Sequence, residues 1–435
     1  MNDEAVPTPP ATGGAVADTS TSASLWQHRA FVQLWISSVS TSFGFQMVSV
    51  AIGWQVYAIT GRALDLGLIG LVQFVPSLLL ALPAGHIADR YERRRVVLIA
   101  QVVVLFAIAL LAVLTATDRI PELGIFAILF IMGIAMAFEW PAQRSMLPSL
   151  VPAAILPRAM AMNSSGDQAA SIVGPALGGL LYIAGPQIVY AVAALLYLVS
   201  VITMSRLPYR QVESKRESAT WKSVFAGVHF IRRNPDMLGV ISLDLFAVLL
   251  GGATALLPIF ARDILHTGPL GLGMLRGAPA VGALLMSLWL ARRAIERKVG
   301  MTMFAAVAGF GLATLVFAWS TAMWLSLIAL FALGAFDMVS VVIRSALVQL
   351  DTPDDMRGRV NSVNAVFVNT SNQLGEFESG MLAAWIGAVP AVLVGGVGTL
   401  LIVGLWMAIF PTLRRRQRMQ SDALRSACDP AYDPN

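Results

Sequence analysis

Residues 168–205 read QAASIVGPALGGLLYIAGPQIVYAVAALLYLVSVITMS, 38 positions without a charge. As one helix at about 1.5 Å per residue the stretch would run roughly 57 Å, against a hydrocarbon core of roughly 30 Å. It therefore holds two membrane crossings, punctuated by Gly185-Pro186. Toward the N-terminus, uncharged runs at 30–61, 66–88 and 96–117 supply spans one to three. Residues 123–138 supply span four, which Glu139-Trp140-Pro141 is expected to end. Toward the C-terminus the series restarts with span seven at 237–260 and span eight at 270–290. A second 38-residue uncharged run, 299–336, splits near Trp319 to Trp324 into spans nine and ten. Spans eleven and twelve cover 360–386 and 388–410. The expected fold is an all-α integral membrane protein with twelve transmembrane helices.

Composition agrees. Hydrophobic residues make up 57% of the 435 and charged residues 13%, about half the share of an ordinary soluble domain. The mean hydropathy is +0.72. The net charge of +5 has a topological origin, because 26 of the 30 basic residues fall on one side of the predicted spans and three on the other. The positive-inside rule then places both termini in the cytoplasm, in a cytoplasmic (inner) membrane. No nucleic-acid partner is needed to explain the charge. One cysteine, Cys428, excludes a disulfide framework, and four scattered histidines suggest no metal site. No G-x-x-x-x-G-K-[ST] phosphate loop occurs, and no nucleophile or cofactor motif stands out, so the chain is read as a non-enzyme without a cofactor.

The twelve spans divide into two related sets. Arg144-Ser145-x-Leu147-x-x-Leu150 recurs as Arg344-Ser345-x-Leu347-x-x-Leu350 at an offset of 200. Phe138-Glu139 and Phe336-Asp337 precede them, Asn163 matches Asn364, Gly179 matches Gly380, and Pro76 matches Pro279. The expected organisation is a disordered cytoplasmic tail (1–24), a six-helix bundle (25–206), a cytoplasmic linker (207–236), a second six-helix bundle (237–411) and a cytoplasmic tail (412–435). Within the linker, Trp221, Val224, Phe225, Val228 and Phe230–Ile231 recur at helical spacing and predict an amphipathic helix on the membrane surface. Two such pseudo-repeats enclose a central cavity.

The loop after span two reads Gly85-His86-Ile87-Ala88-Asp89-Arg90-Tyr91-Glu92-Arg93-Arg94-Arg95. It resembles the G-x-x-x-D-R-x-x-R-R loop of the major facilitator superfamily, with Glu92 where that family usually has a second glycine. The resemblance implies a gating latch built from Gly85, Asp89, Arg90, Arg93 and Arg94. Gly174-Pro175-Ala176-Leu177-Gly178-Gly179 resembles the G-P-x-x-G-G motif of drug-antiporter and exporter branches, a helix-packing device of Gly174, Pro175, Gly178 and Gly179. Leu34-Trp35, Trp54-Gln55-Val56-Tyr57 and Thr60-Gly61 resemble the enterobactin-exporter-like, or transmembrane secretion effector, branch. That resemblance implies that spans one, four, seven and ten line the cavity. Span four lacks the mid-membrane arginine of many proton antiporters.

Six acids fall within or at the edges of spans: Glu139, Asp167, Asp244, Asp337, Glu376 and Glu378. Each ionised carboxylate in hydrocarbon costs at least about 2.5–3.5 kcal/mol, so such residues face a cavity or a partner. Asp244, Glu376, Asp337 and Glu139 are the proton-coupling candidates. Asp244 ranks first because no basic residue lies within two turns on its own span, leaving Arg276 of span eight as its expected partner. Arg344 is expected beside Asp337 and Arg144 beside Glu139. Glu376 and Glu378 point about 200° apart and cannot share a cavity. Gln46, Gln55, Arg276, Asn369 and Gln373 are the substrate-cavity candidates, while Trp26, Trp140, Trp289 and Trp324 read as interfacial anchors. The expected function is export of an amphipathic small molecule, drug-like or siderophore, by proton antiport, with a monomer, the bilayer and protons as the working set. Uptake, lysophospholipid flipping and a non-transporting sensor or scaffold are the alternatives.

Overall fold

The computed structural model describes residues 25–209, 221–293, 295 and 297–419, and within them the side chains of all but 81, 82, 85, 86, 88, 89, 221–224, 354 and 355. The expected tail at 1–24, part of the expected linker and most of the expected C-terminal tail lie outside the described residues. The first half comprises α1 (Arg29–Thr60), α2 (Ala63–Arg90), α3 (Arg93–Ala116), α4 (Glu122–Leu150), α5 (Leu156–Tyr182) and α6 (Pro186–Ser205). Gly185 takes φ 114°, which glycine alone adopts freely, and Pro186 opens α6, so the long uncharged run breaks at that dipeptide.

After α7 (Trp221–Arg233), the second half begins with α8 (Pro235–Leu250), which breaks at Gly251-Gly252. The crossing continues as a 3-10 turn (Ala253–Leu256), the short α9 (Leu257–Ile259) and a π-helical turn (Phe260–Ile264). Irregular backbone at this depth persists only where protein or a cavity covers it. Here the backbone of Gly375 and the ring of Phe310 lie against the two glycines. The remaining helices are α10 (Gly268–Arg292), α11 (Val299–Trp319), α12 (Met323–Leu350), α13 (Asp354–Ile386), α14 (Ala388–Ile409) and α15 (Pro411–Arg415).

Packing repeats between the halves. In the first, α1 packs on α5 and α6, α2 on α4, and α3 on α4 and α6. In the second, α8 packs on α13 and α14, α10 on α12, and α11 on α12 and α14. The two most extensive contacts between the halves are α5 with α10 and α2 with α13. The pseudo-twofold exchanges these pairs, since α5 corresponds to α13 and α2 to α10.

Among the described residues, ten helical segments are long and apolar enough to cross a membrane. The two crossings that fall short are α5 and α13, which carry Asn163, Asp167 and Gln168, and Asn369, Gln373 and Glu376. Their polarity follows from where they stand, against the central cavity. One expectation is corrected in α4, which does not end at Glu139-Trp140-Pro141 but runs through Pro141 and Pro148 to Leu150. Both rings are exposed, so the missing N–H groups fall on the outside of the packed bundle.

α7 is a helix over the predicted residues, and its apolar side packs on α13. Val228 and Ile231 join Met237, Ile241, Val360 and Val363, and Gly227 lies against the Arg359 carbonyl. Beyond α15, the Arg416 and Gln417 carbonyls accept the Gly300 and Val299 N–H groups at the start of α11. The Arg416 guanidinium grips Asp351 with two nitrogens and reaches Asp236 on α8 at 3.2 Å. Burial works against its charge, but the two carboxylates outweigh burial and hold it above the ordinary arginine value. In the first half an arginine side chain makes the equivalent tie. Arg94 at the start of α3 donates to the Ser205 carbonyl at 2.8 Å and the Leu207 carbonyl at 2.9 Å.

Candidate functional site

The halves meet in the part of the bundle away from the start of α1 and the end of α14. On one side α5 and α10 touch backbone to backbone, with Gly179 against Pro269 and Leu270, Gly273 against Pro175 and Ala176, and Gly277 against the Ile172 carbonyl. On the other, Gly67 of α2 and Gly380 of α13 meet at their Cα atoms, and Gly70 makes room for Glu376 and Gln373. A third contact closes the centre, where the Tyr57 hydroxyl at the end of α1 donates to Asp263 and Arg262 donates to the Tyr57 carbonyl at 3.2 Å. The Arg262 guanidinium also stands 5.5 Å from the Tyr57 ring centre. Apolar side chains from both halves, including Val50, Leu66, Leu257 and Phe260, fill the space between these contacts.

Nearer the start of α1 lies a cavity of about 470 Å³ lined by α1, α4 and α5 with Tyr197 of α6. Phe45 and Trp140 form one wall with their rings edge to face at 6.0 Å. The Arg144 side chain is exposed to this space, and no hydrogen bond or ion pair holds it among the described residues. Asp167 sits opposite on α5, accepting from Ser42 at 2.8 Å. Beyond Phe45 and Trp140, a second compartment of about 140 Å³ is shared between the halves and lined by Gln73, Asn369 and Gln373. A third, of about 330 Å³, lies mainly in the second half around Asp337, Glu376 and the break at Gly251-Gly252, with Gln168 and Ser171 of α5 closing its other side. Ser171 lines both the first and the third, and Gln46 donates to it at 3.1 Å.

Gln46, Asn369 and Gln373 therefore stand at the cavity, as do Asp337 and Glu376. Gln55 does not. It is buried on the far side of α1, donating to Thr115 at 3.2 Å and accepting from Tyr190 at 2.6 Å, a tie between α1, α3 and α6. Trp140, expected at an interface, is a cavity wall because α4 continues past it. The cavity also draws on α5 and α13 beside the expected spans one, four, seven and ten.

Ion pairing departs from the expected scheme in three places. Asp244 is not partnered by Arg276 but forms a buried ion pair with Arg344 of α12, and Ser340 donates to it at 3.4 Å. Asp337, expected beside Arg344, has no hydrogen bond or ion pair among the described residues and faces both the third compartment and a small void next to Asp244. Glu139 does not meet Arg144. It turns into the first half, where Gln101 donates to it at 3.1 Å. Arg276 instead crosses to the other half, donating to Ser49 of α1 at 2.8 Å with Glu376 as its neighbouring charge. Sequence reasoning missed Arg144 and Trp140 as cavity residues and Tyr57–Asp263 as a contact between the halves. The signal available for Arg144 was that α1, unlike α8, carries no acid.

Comparison with known proteins decides the family. Residues 19–432 match the family described as transmembrane secretion effector. The chain belongs to that family. Among curated relatives, the enterobactin exporter of Citrobacter koseri is 26% identical over 397 residues, covering 89% of this chain and 93% of the relative. That of Salmonella choleraesuis is 24% identical over 393 residues, covering 89% and 94%. Two solved structures share the fold. A bacterial homologue of the iron transporter ferroportin superposes with TM-score 0.65 at 17% identity, covering 91% of this chain and all of that one. The nucleoside transporter NupG gives 0.64 at 16%, covering 88% and 99%.

In this secretion effector the two quoted motifs have distinct placements. Gly174 and Gly178 face α1, against Gln46 and Met47, whereas Pro175 and Gly179 face α10 of the other half. The packing motif thus serves one contact within a half and one between halves. In the loop after span two, Gly85 and Asp89 belong to α2, and the Asp89 side chain lies outside the described ones. Arg93 donates to the Ser145 carbonyl at 3.2 Å, Arg94 holds the end of α6, Arg90 is exposed, and Glu92 pairs with Arg95 at 2.7 Å.

Proposed function

We propose that the protein is a secondary active exporter of an amphipathic small molecule carrying an aromatic and an anionic part, working by alternating access. The observation that carries this reading is the cavity in the first half, where the Phe45–Trp140 wall and the unpartnered Arg144 face one space. An arginine that lines the cavity with no ion-pair partner among the described residues favours an anionic guest, and the two rings suit a flat apolar one. With both termini in the cytoplasm, as the arginine distribution supports, the cavity is open to the cytoplasm and the glycine contacts seal the outside. The curated relatives are enterobactin exporters, which supports a siderophore-like cargo and the outward direction.

Protons drive the cycle inward through the second half, where Asp337 and Glu376 share a compartment with the helix break. Asp244, fixed by Arg344, serves the fold in this reading. The Asp89 loop biases the two states, and one chain holds the complete path. The test is efflux of catecholate and drug-like probes in inverted vesicles with and without a pH gradient. Accumulation that collapses when the gradient is dissipated supports the reading. Gradient-independent equilibration, or movement in the opposite direction, overturns it.

A further inference from the structure

Glu139 is 1% exposed and Gln101 fully buried, deep between α4 and α3. One Gln101 amide nitrogen donates both to Glu139 Oε1 at 3.1 Å and to Ser37 at 3.1 Å, and Ser37 meets Ser200 at 2.6 Å. Two oxygens in this cluster have no partner: Glu139 Oε2 and Gln101 Oε1. Both are acceptors, so no rearrangement among existing donors of the pair satisfies them. Each sits on one of the two groups already joined by the hydrogen bond from the Gln101 amide N–H.

We infer that Glu139 carries a proton in this conformation, and that it and Gln101 form a two-bond acid–amide pair, a proton-binding site inside the first half. The amide N–H donates to one carboxyl oxygen, and the carboxyl O–H donates back to the amide oxygen. A single proton thereby satisfies both orphaned atoms, as hydrogen-bond accounting requires of a buried polar cluster. Among the described residues no ion pair to Glu139 supplies a counter-ion for the alternative. The side chains that bond or face this cluster come from α1, α3 and α6, whose membrane segments, 30–60, 96–116 and 186–205, contain no charged residue. Of the other helices packed on α4, α2 carries its charges at its two ends, Asp65 and Asp89-Arg90, and α5 carries Arg158 and Asp167, the latter bonded to Ser42. The titratable side chain facing it from α6 is Tyr197, which also lines the cavity. Arg144, five residues along α4, is turned out into the cavity. Gln143, one turn along, lines the cavity with an unpartnered Nε2 and makes no hydrogen bond to Glu139. It is the donor available to the carboxylate once the proton leaves, which links the site to the cavity wall.

The inference concerns a protonation state and stands independently of transport direction. Its test is isotope-edited infrared spectroscopy of the full chain in lipid nanodiscs at neutral pH, with ¹³C-glutamate labelling. A protonated-carboxyl C=O band that shifts with the label and disappears in Glu139→Gln is the expected result. If wild type and Glu139→Gln differ only in carboxylate stretches, Glu139 is ionised and the inference fails. Should Glu139→Gln not fold, Gln101→Leu in the same preparation decides. Removing the amide donor shifts the Glu139 band to higher frequency if the pair exists, and an unmoved band overturns it.

Discussion

Arg344 on α12 is ion-paired with Asp244 on α8, and both side chains are buried. Its counterpart in the first half, Arg144, has no such partner and stands exposed in the cavity. The repeated motif Arg-Ser-x-Leu-x-x-Leu has thus been put to two uses. Where the first helix of the half supplies an acid, the arginine ties two helices; where it supplies none, the arginine is free to meet a guest.

Breaking the buried pair from one side should be costly. Asp244→Asn leaves the Arg344 charge uncompensated, at a cost of about 3–5 kcal/mol. Replacing both, as Asp244→Leu with Arg344→Met, should recover most of that stability. Thermal unfolding of purified single and double variants measures the cycle. A double variant no more stable than Asp244→Asn alone would contradict the pairing.

The cavity arginine should behave oppositely. Arg144→Gln is expected to leave thermal stability within about 0.5 kcal/mol, as for an unpaired surface group. Loss of one charge-assisted contact of about 1.5–3 kcal/mol should weaken anionic cargo binding roughly 10- to 100-fold. Neutral analogues should bind almost unchanged, and tryptophan fluorescence from Trp140 gives both affinities. Equal losses for charged and neutral probes would argue against an anion contact.

Closure of the sealed end depends on glycine. At Gly179 and Gly273 an added side chain runs into the backbone of the opposite half. Gly179→Leu or Gly273→Leu should hold α5 and α10 apart and reduce transport at least 10-fold. Spin labels at Thr60 and His266, in a Cys428→Ser background, should report a longer distance. Gly404→Leu is the control, since nothing lies within 4 Å of the position a Cβ would take there.

Coupling is expected to fail at Asp337 before it fails at Asp244. Asp337→Asn should abolish accumulation driven by a pH gradient while leaving downhill movement of cargo measurable. The readout is vesicle accumulation ratio against imposed pH difference. A variant that still concentrates cargo with the wild-type pH dependence would move the proton route to Glu376.

Span positions were legible because charge is excluded from hydrocarbon, so runs such as 168–205 announce themselves. The break at Gly185-Pro186 was legible because its chemistry is local. Partners were not. Asp244 and Arg344 lie 100 positions apart, and their meeting depends on how α8 and α12 are rotated against each other. Gln55 and Gln46 look alike in sequence, two amides nine residues apart on α1. One finds Tyr190 and Thr115 in the bundle interior, the other Ser171 at the cavity. Trp140 was misjudged for a different reason, since Pro141 next to it suggested a helix end that the outward-facing ring does not impose.

The ties at the start of α3 and of α11 also impose an order in time. Arg94 needs the carbonyls of Ser205 and Leu207, while the N–H groups of Val299 and Gly300 need those of Gln417 and Arg416. During synthesis the first half can complete its tie once residue 207 has emerged, while most of the second half is still to be made. The second half stays open until residue 417 has left the ribosome. Until α13 and α10 have been made, the glycine-bearing faces of α2 and α5 are without the partners that cover them in the finished fold.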